Sequence, residues 1–277
     1  MYVYTFNNST DQVPAVGFGT WSLKGDAGIA AIKQALTNGY TYLDGAFNYD
    51  NEATVGEAIR QSGKARNELI IASKLPGRYQ HYQAALDTIQ ESLFRLNLEF
   101  FDVYLIHWPN PKQDLYVEAW QALIEAKKRG WVKHIGVSNF TPAHIDRLIA
   151  ETGVTPEINQ VELHPYFNQE ETLVYDREHK IITQAWSPLG RGSEILNDPV
   201  LTAIAKAHAK SVGQVILRWD LQRSVMALPK STNAARQREN LAILDFELTG
   251  DEVQMINSLS RVDGRLQNQD PDIYEEF

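Results

Sequence analysis

The sequence predicts an α/β protein folded as a (β/α)8 TIM barrel. Short apolar, β-branched segments alternate with helix-like segments along the chain, and eight strand-like segments can be distinguished. No linker rich in Pro, Gly or Ser divides the 277 residues. Parallel strands buried on both faces need a helical crossover between neighbours, so eight such units without a linker favour a barrel. We therefore expect one domain over residues 1–277.

Each strand-like segment is a short run of apolar and β-branched residues. In chain order the segments are "AVGFGT" (15–20), "TYLDGA" (41–46), "LIIASK" (69–74), "DVYLIH" (102–107), "VKHIGVS" (132–138), "EINQVEL" (157–163), "IITQAW" (181–186) and "VMALPK" (225–230). We expect a short N-terminal β-hairpin before the first of them.

The helix-like segments carry apolar residues at spacings of three and four. They are residues 27–39, 52–63, 82–97, 116–130, 143–153 and 212–224. Several end in glycine, which is the residue best able to stop a helix: Gly39, Gly63, Gly130 and Gly153. We also expect an additional C-terminal helix and a tail after the last strand.

A doubly wound open sheet is the competing fold. That fold needs fewer strands and usually carries a glycine-rich turn after its first strand. Here "GFGTWS" supplies Gly17 and Gly19, but Ser22 stands where the third glycine belongs. The barrel is therefore favoured.

Composition excludes several classes of function. The net charge of −9 argues against nucleic acid or an anionic membrane as the main partner, since both require a concentrated basic surface. The absence of cysteine excludes disulfides, thiolate nucleophiles and Cys-ligated metals. The first residues, "MYVYTFNNST", lack a signal-peptide pattern, and no apolar run reaches the length of a membrane span. We expect a cytoplasmic protein without a membrane partner.

Polar residues stand at the ends of seven predicted strands. The carboxyl ends of barrel strands and the loops that follow them build the active face, so these side chains should meet at one rim. They are Asp44, Lys74, His107, Ser138 with Asn139, Gln160, Trp186 and Lys230.

Four residues near this rim suggest acid catalysis. A buried Lys74 beside Asp44 stays protonated, because an opposite charge favours the charged form. Tyr49, on the loop after Asp44, would then have its pKa lowered below the free value of about 10 and act as a proton donor. His107 would add a hydrogen bond and orient a substrate carbonyl.

A carbonyl becomes an alcohol only if hydride is also supplied, and no side chain provides hydride, so a cofactor is required. The segment "LPKSTNAARQREN" (228–240) leads from the last strand into a helix whose cap lies among Ser231, Thr232 and Asn233. Barrels commonly bind phosphate at such a helix start. Lys230 and Arg236 offer two cations in an acidic protein, which favours NADP(H) over NAD(H).

Trp186 and the turn after it indicate a place for the rest of a dinucleotide. The indole could lie flat against a nicotinamide ring, with residues 187–190 turning beneath a pyrophosphate. An ordinary amphipathic surface helix remains the alternative for residues 234–240.

These motifs resemble those of the aldo-keto reductase superfamily, and especially its bacterial 2,5-diketo-D-gluconate reductases. The resemblance covers nearly the whole chain. It rests on "LDGAFNYDNEATVGEAI", "IIASKL", "DVYLIHWP", "IGVSNF", "INQVELHP", "AWSPLG" and "LPKSTNAARQREN".

The resemblance implies a role for each matching residue. Tyr49 would donate the proton, tuned by Lys74 and Asp44, with His107 orienting the substrate. For NADPH it implies carboxamide contacts from Ser138, Asn139 and Gln160, nicotinamide stacking by Trp186, and diphosphate contacts from Ser187 and Leu189. It assigns the 2′-phosphate to Lys230, Ser231 and Arg236, and the adenine to Glu239 and Asn240. We also assign Gly19, Thr20 and Thr232 to the cofactor site.

The expected substrate is a small carbonyl compound, and the resemblance favours a monomer. Trp21, Phe47 and Trp108 are our candidates for the walls of its pocket. The loop after the fourth strand and the tail after residue 265 are short compared with those of vertebrate members of the family that the sequence resembles. We therefore expect the rim of the pocket to be open.

Two other functions remain open. A regulatory barrel could retain the cofactor without useful turnover, because fold does not dictate function. Lys74 could instead form a Schiff base, as in an aldolase, but it would then have to be neutral, and Asp44 opposes this.

Overall fold

The computed structural model describes residues 2–7 and 9–277. Eight parallel strands form one sheet in sequence order, from β3 to β10. The strands are β3 Phe18–Gly19, β4 Tyr42–Asp44, β5 Ile70–Leu75, β6 Phe101–Ile106, β7 Val132–Ser138, β8 Ile158–Glu162, β9 Ile182–Trp186 and β10 Met226–Leu228. The first and last strands are shorter than the segments predicted for them.

The sheet closes on itself, which confirms the barrel. The amide of Gly17 donates to the carbonyl of Ala227 at 2.9 Å, and the amide of Gly19 donates to the carbonyl of Pro229 at 3.1 Å. These bonds join the chain around β3 to the chain around β10. Closure removes the free edges that an open sheet would expose.

Helices lie between successive barrel strands and pack against their outer faces. Their bounds are α1 Gly25–Asn38, α2 Glu52–Ser62, α3 Tyr82–Leu96, α4 Tyr116–Lys128, α5 Pro142–Thr152, α6 Glu170–Glu178, α7 Pro199–Ala207, α8 Val212–Gln222, α9 Ala234–Leu241 and α10 Gly250–Asn257. Within the described part of the chain, no helix is both long and apolar enough to cross a membrane.

Two helices, α6 and α7, lie outside the predicted helical segments. Helix α6 is mostly polar and buries only Thr172, Leu173 and Asp176, so its apolar spacing is weak. Helix α7 is capped by Asp198, whose carboxylate accepts from the amides of Val200 and Leu201. An Asp followed by Pro at the first helical position is a start signal that the periodicity did not reveal.

The barrel interior is apolar through most of its length. The cluster inside it contains Phe6, Val13, Tyr42, Ala72, Val103, Leu105, Ile158, Ile182, Met226 and Leu228. Side chains alternate between the two faces of a strand. Asp44, Lys74 and Gln160 each stand two residues after a member of this cluster, so they point into the barrel at its carboxyl end.

The predicted N-terminal hairpin is present and closes the opposite end of the barrel. Strand β1 (Val3–Thr5) pairs with β2 (Gln12–Pro14) in antiparallel register. Phe6 and Val13 of this hairpin belong to the interior cluster. The barrel is thus blocked at the amino end of its strands and can open only at the carboxyl end.

Asp176 joins α6 to the barrel wall from a buried position. Its carboxylate accepts from the hydroxyl of Thr183 at 2.8 Å and from the amide of Asn159 at 3.4 Å. Burial outweighs these two hydrogen bonds and raises the pKa of Asp176 to about 7. The folded state therefore holds a proton here that the unfolded chain releases near its ordinary pKa of about 4.

We expect Asp176→Asn to remove a pH dependence of stability. Between about pH 4 and pH 7 the folded protein binds more protons at this site than the unfolded chain, so its stability falls as pH rises. The wild type should lose roughly 2 kcal/mol relative to Asp176→Asn between about pH 5 and pH 7. Urea unfolding at several pH values measures this difference. Parallel stability curves for the two proteins would contradict the buried, protonated carboxyl.

Candidate active site

A buried ion pair lies at the carboxyl end of the barrel. Lys74 Nζ lies 2.8 Å and 2.9 Å from the two carboxylate oxygens of Asp44, and 2.8 Å from the carbonyl oxygen of Gly45. Gln160 donates a further hydrogen bond to the same carboxylate at 2.8 Å. Lys74 and Asp44 are 1% and 3% exposed, so water cannot replace these contacts. The pair is held rigidly by three strands.

Lys74 is charged in this arrangement. Burial disfavours the ammonium ion, but the Asp44 carboxylate and the Tyr49 phenol outweigh it and raise the pKa of Lys74. A Schiff-base lysine must be neutral to attack a carbonyl. The geometry therefore argues against the aldolase-like alternative.

Tyr49 lies directly beside this pair. It belongs to a short 3-10 turn, Phe47–Tyr49, that follows β4. Its ring centroid is 5.2 Å from Lys74 Nζ and 6.0 Å from the centroid of the His107 ring, which it meets edge-on. Its side chain is half-buried.

The predicted direction of the Tyr49 pKa shift is wrong for this structure. Burial raises the pKa of Tyr49 above its usual value, and the lowering effect of the Lys74 ammonium does not compensate for it. The carboxylates of Asp44 and Glu276 add to the increase. The phenol is consequently protonated at neutral pH, which is the state a proton donor must start from.

His107 follows β6 and borders the same space. Its Nδ1 atom lies 2.7 Å from Oε1 of Glu276, near the C-terminus. The contact does not have the direction of a hydrogen bond. Burial opposes ionisation of Glu276, but His107 and hydrogen bonds from Gly77 and Asn48 lower its pKa. Glu276 is therefore ionised at neutral pH.

The three residues predicted to hold a carboxamide are connected to one another. Ser138 Oγ donates to the carbonyl of Gln160 at 2.8 Å, and Asn139 Nδ2 contacts Ser138 Oγ at 3.0 Å. Asn139 adopts a left-handed backbone, with φ of 63°. Its Oδ1 accepts from the indole of Trp186 at 2.7 Å. The trio and Trp186 form one hydrogen-bonded patch of the rim.

Trp186 ends β9 and is partly exposed, as a stacking surface must be. Ser187 and Leu189 follow it, and both are partly accessible. Arg191, which the sequence analysis did not select, lies between two indoles. Its guanidinium carbon is 5.2 Å from the centroid of Trp21 and 5.7 Å from that of Trp186. It brings a cation to this side of the rim.

The predicted phosphate site lies where the chain passes from β10 into α9. Asn233 is the cap of α9, since its Oδ1 accepts from the amides of Ala235 and Arg236. Lys230, Thr232 and Arg236 are exposed around this helix start, whereas Ser231 is buried. Two cations and the positive end of the helix dipole suit an anion.

Four other predicted cofactor residues differ in their surroundings. Glu239 is exposed, but Asn240 is only 6% exposed and packs inward. Thr20 is fully buried, and its hydroxyl donates to the carbonyl of Asp44 at 2.8 Å. A Cβ atom placed on Gly19 would lie 3.2 Å from the carbonyl oxygen of Leu228. Gly19 thus lets the chain pass close to β10, while Thr20 supports Asp44.

The three residues predicted to line the substrate pocket also differ in exposure. Trp21 is 52% exposed, whereas Phe47 is 6% and Trp108 is 5% exposed. The Phe47 ring is covered by the guanidinium of Arg95 at 4.2 Å, and the Trp108 ring is 4.5 Å from the ring of Tyr274. Trp21 is the most accessible aromatic surface of the three.

The expectation of an open rim is wrong on one side. The tail residues Asp270–Phe277 return to the barrel mouth, and Glu276 is buried there. The sequence analysis did not select Glu276, because a carboxylate near a chain end is usually solvated. Nothing in the segment "YEEF" distinguishes Glu276 from Glu275, so the sequence does not predict that Glu276 is the buried one.

A cavity of about 490 Å³ lies at the opposite end of the barrel, beside the N-terminal hairpin. Its lining includes Phe6, Arg177 and Arg223 but none of the predicted site residues. The residues predicted for the functional site therefore lie away from this cavity.

Together, the carboxyl end combines a protonated phenol, a fixed ammonium–carboxylate pair and an imidazole around one space. This set can donate a proton to an oxygen that gains negative charge. The fold and these groups define a (β/α)8 barrel with a candidate proton-donating site at its carboxyl end. The profile of the Aldo/keto reductase family matches residues 15–261, and the chain belongs to this family.

Individual relatives agree with this assignment. 2,5-Diketo-D-gluconic acid reductase B of Corynebacterium sp. is 48% identical over 261 residues, which cover 94% of each chain. Methylglyoxal reductase DkgA of Salmonella typhimurium is 42% identical over 261 residues, again 94% of each chain. The crystal structure of a Gox0644 mutant in complex with NADPH has a TM-score of 0.93 and 38% identity, and the match covers 99% of this chain and 98% of that one.

We expect the pairing of Asp44 with Lys74 to be a large contribution to stability. Asp44→Asn leaves the ammonium buried without its carboxylate and should lower the free energy of unfolding by about 3 kcal/mol. The double variant Asp44→Asn/Lys74→Met leaves neither charge buried and should recover part of this loss. Urea unfolding of both single variants and the double variant completes the cycle. Losses that simply add would contradict a direct pairing.

Proposed function

We propose that this protein is an NADPH-dependent carbonyl reductase that converts small aldehydes and ketones to alcohols. The observation that carries the proposal is the protonated Tyr49 phenol, which stands beside the Lys74–Asp44 pair and faces His107. Family membership supports the reductase class. A regulatory barrel would have no need of this proton-donating geometry.

In the proposed mechanism Tyr49 gives its proton to the carbonyl oxygen as negative charge develops there. The nearby Lys74 ammonium stabilises the phenolate that remains, and the Asp44 carboxylate holds this ammonium in place. His107 supplies a hydrogen bond that orients the carbonyl oxygen. NADPH, when bound, supplies the hydride.

The residues at the rim fit this cofactor. Lys230 and Arg236 are exposed beside the start of α9, where a 2′-phosphate would meet two cations and the positive end of the helix dipole. Trp186 offers a partly exposed indole face for the nicotinamide. Ser138, Asn139 and Gln160 would hold its carboxamide, and Ser187 and Leu189 would contact the diphosphate. Structural relatives have been solved with NADPH or NADP.

Small polar carbonyl compounds are the proposed substrates. The named activities of two relatives point to 2,5-diketo-D-gluconate and to methylglyoxal. Trp21 would contribute the accessible apolar wall. We further propose that the protein acts as a monomer in the cytoplasm, in keeping with a sequence that contains no cysteine.

Tyr49→Phe should abolish carbonyl reduction while it leaves NADPH binding nearly intact. The variant keeps the ring but removes the transferable proton, so kcat should fall by about 100-fold or more. The measurement is NADPH oxidation with methylglyoxal, benzaldehyde and 2,5-diketo-D-gluconate, with cofactor affinity followed by fluorescence. Tyr79→Phe, which alters an exposed tyrosine packed edge-on against Phe47, is the control. Unchanged turnover in Tyr49→Phe would remove the proposed donor.

Arg236→Ala should weaken NADPH far more than NADH. We expect about a tenfold loss of affinity for NADPH, because a charge-assisted contact to the 2′-phosphate is lost, and little change for NADH. Arg238→Ala removes an exposed arginine from another face of the same helix and controls for net charge. Equal losses for both cofactors in Arg236→Ala would refute the 2′-phosphate role.

A further inference from the structure

The C-terminal tail brings an acidic side chain into the candidate active site. Glu276 is 7% exposed, although it stands one residue before the end of the chain. Its carboxylate accepts from the amide of Gly77 at 2.9 Å and from Asn48 Nδ2 at 2.7 Å. The same carboxylate lies 2.7 Å from His107 Nδ1. A negative charge is thus fixed against the residue that would orient the substrate.

The tail is docked by specific backbone contacts. Asn110 is fully buried and clamps residue 276, since its Nδ2 donates to the Glu276 carbonyl at 2.8 Å and its Oδ1 accepts from the Glu276 amide at 3.1 Å. The amide of Lys112 donates to Glu275 at 2.7 Å. The ring of Tyr274 packs on Trp108. Three consecutive residues of the tail are thus held against the loop after β6.

Gly77 is required for this docking. A Cβ atom at this position would lie 2.2 Å from Asn110 Nδ2 and 2.5 Å from the Glu276 carbonyl oxygen. Any larger residue would push the tail away from the loop after β5. The loop and the tail are therefore fitted to each other, which argues that the Glu276 carboxylate is a regular component of the site.

We propose that Glu276 is a specificity-determining residue that disfavours substrates with a carboxylate directly next to the carbonyl group that is reduced. This proposal rests on the proposed function and narrows its substrate class. A carbonyl oxygen bonded to the other ring nitrogen of His107 would lie within roughly 8 Å of the Glu276 carboxylate, since a hydrogen bond spans about 2.9 Å. A second carboxylate at that distance in a partly desolvated pocket is repelled.

Other charges near the pocket do not cancel this effect. The Lys74 ammonium is already paired with Asp44. Arg78 contacts Asn48 Oδ1 at 2.5 Å, but its side chain is exposed, so water and salt screen its charge. Glu276 is buried and screened much less. Arg191 is exposed as well. The Glu276 carboxylate is the charge in direct contact with the His107 ring.

The test compares phenylglyoxylate with its uncharged methyl ester as substrates. The two compounds share the same ketone and differ in the charge next to it. For each protein the readout is the ratio of kcat/KM for the acid to kcat/KM for the ester, with NADPH saturating. In Glu276→Gln this ratio should rise about tenfold over the wild type, because the charge is removed while the side-chain volume is kept.

Glu275→Gln is the matched control. Glu275 is the neighbouring carboxylate of the same tail, and it bonds the Lys112 amide outside the pocket. The ratio should stay within about twofold of the wild type in this variant, since an exposed charge is screened. An unchanged ratio in Glu276→Gln, or an equal increase in Glu275→Gln, would overturn the proposal. Equal losses for acid and ester in Glu276→Gln would assign Glu276 a purely structural role instead.

A failure of the proposed function is recognised separately. If the wild type oxidises NADPH with neither compound nor with benzaldehyde, the reductase assignment fails. Calorimetric affinities of the acid and the ester for the wild type and Glu276→Gln would then test the role of Glu276 alone. A relative gain of about tenfold in acid binding by the variant supports the role, and no gain refutes it.

Discussion

The ion pair between Lys74 and Asp44 is the constraint on which the rest of the site depends. A buried ammonium is tolerated only when oxygen atoms surround it, and here Asp44 and Gly45 provide them. These oxygens belong to the strand next to Lys74, so the pair also fixes how the two strands end. The loop after β4 must then turn over the ammonium, and this turn carries Tyr49 to its position.

Much of this site could be predicted because strand geometry is periodic. Asp44, Lys74 and Gln160 follow interior residues at a spacing of two, and closure of the barrel brings the ends of neighbouring strands together. The alternation of side chains along each strand therefore predicts that these three point into the barrel, and barrel closure predicts that they lie close together. The same reasoning identified β9 and Trp186, although it could not show that the indole bonds Asn139.

Other properties depend on packing that the sequence does not display. The pKa of Tyr49 is set by how far burial exceeds the attraction of Lys74, and this balance is a matter of depth rather than of residue type. Thr20 and Asn240 carry polar groups suited to a ligand, yet both are buried against the protein itself. Helix α6 was not predicted because it buries only Thr172, Leu173 and Asp176, and two of these three residues are polar.

The docked tail also has a consequence for the order of folding. Glu276 bonds Gly77 across a sequence separation of 199 residues and Asn110 across 166. Contacts of such long range cost the most chain entropy to form, so they come after the more local pairing of neighbouring strands. The electrostatic surroundings of the site are therefore completed only after the strands that carry Lys74 and Asp44 have paired.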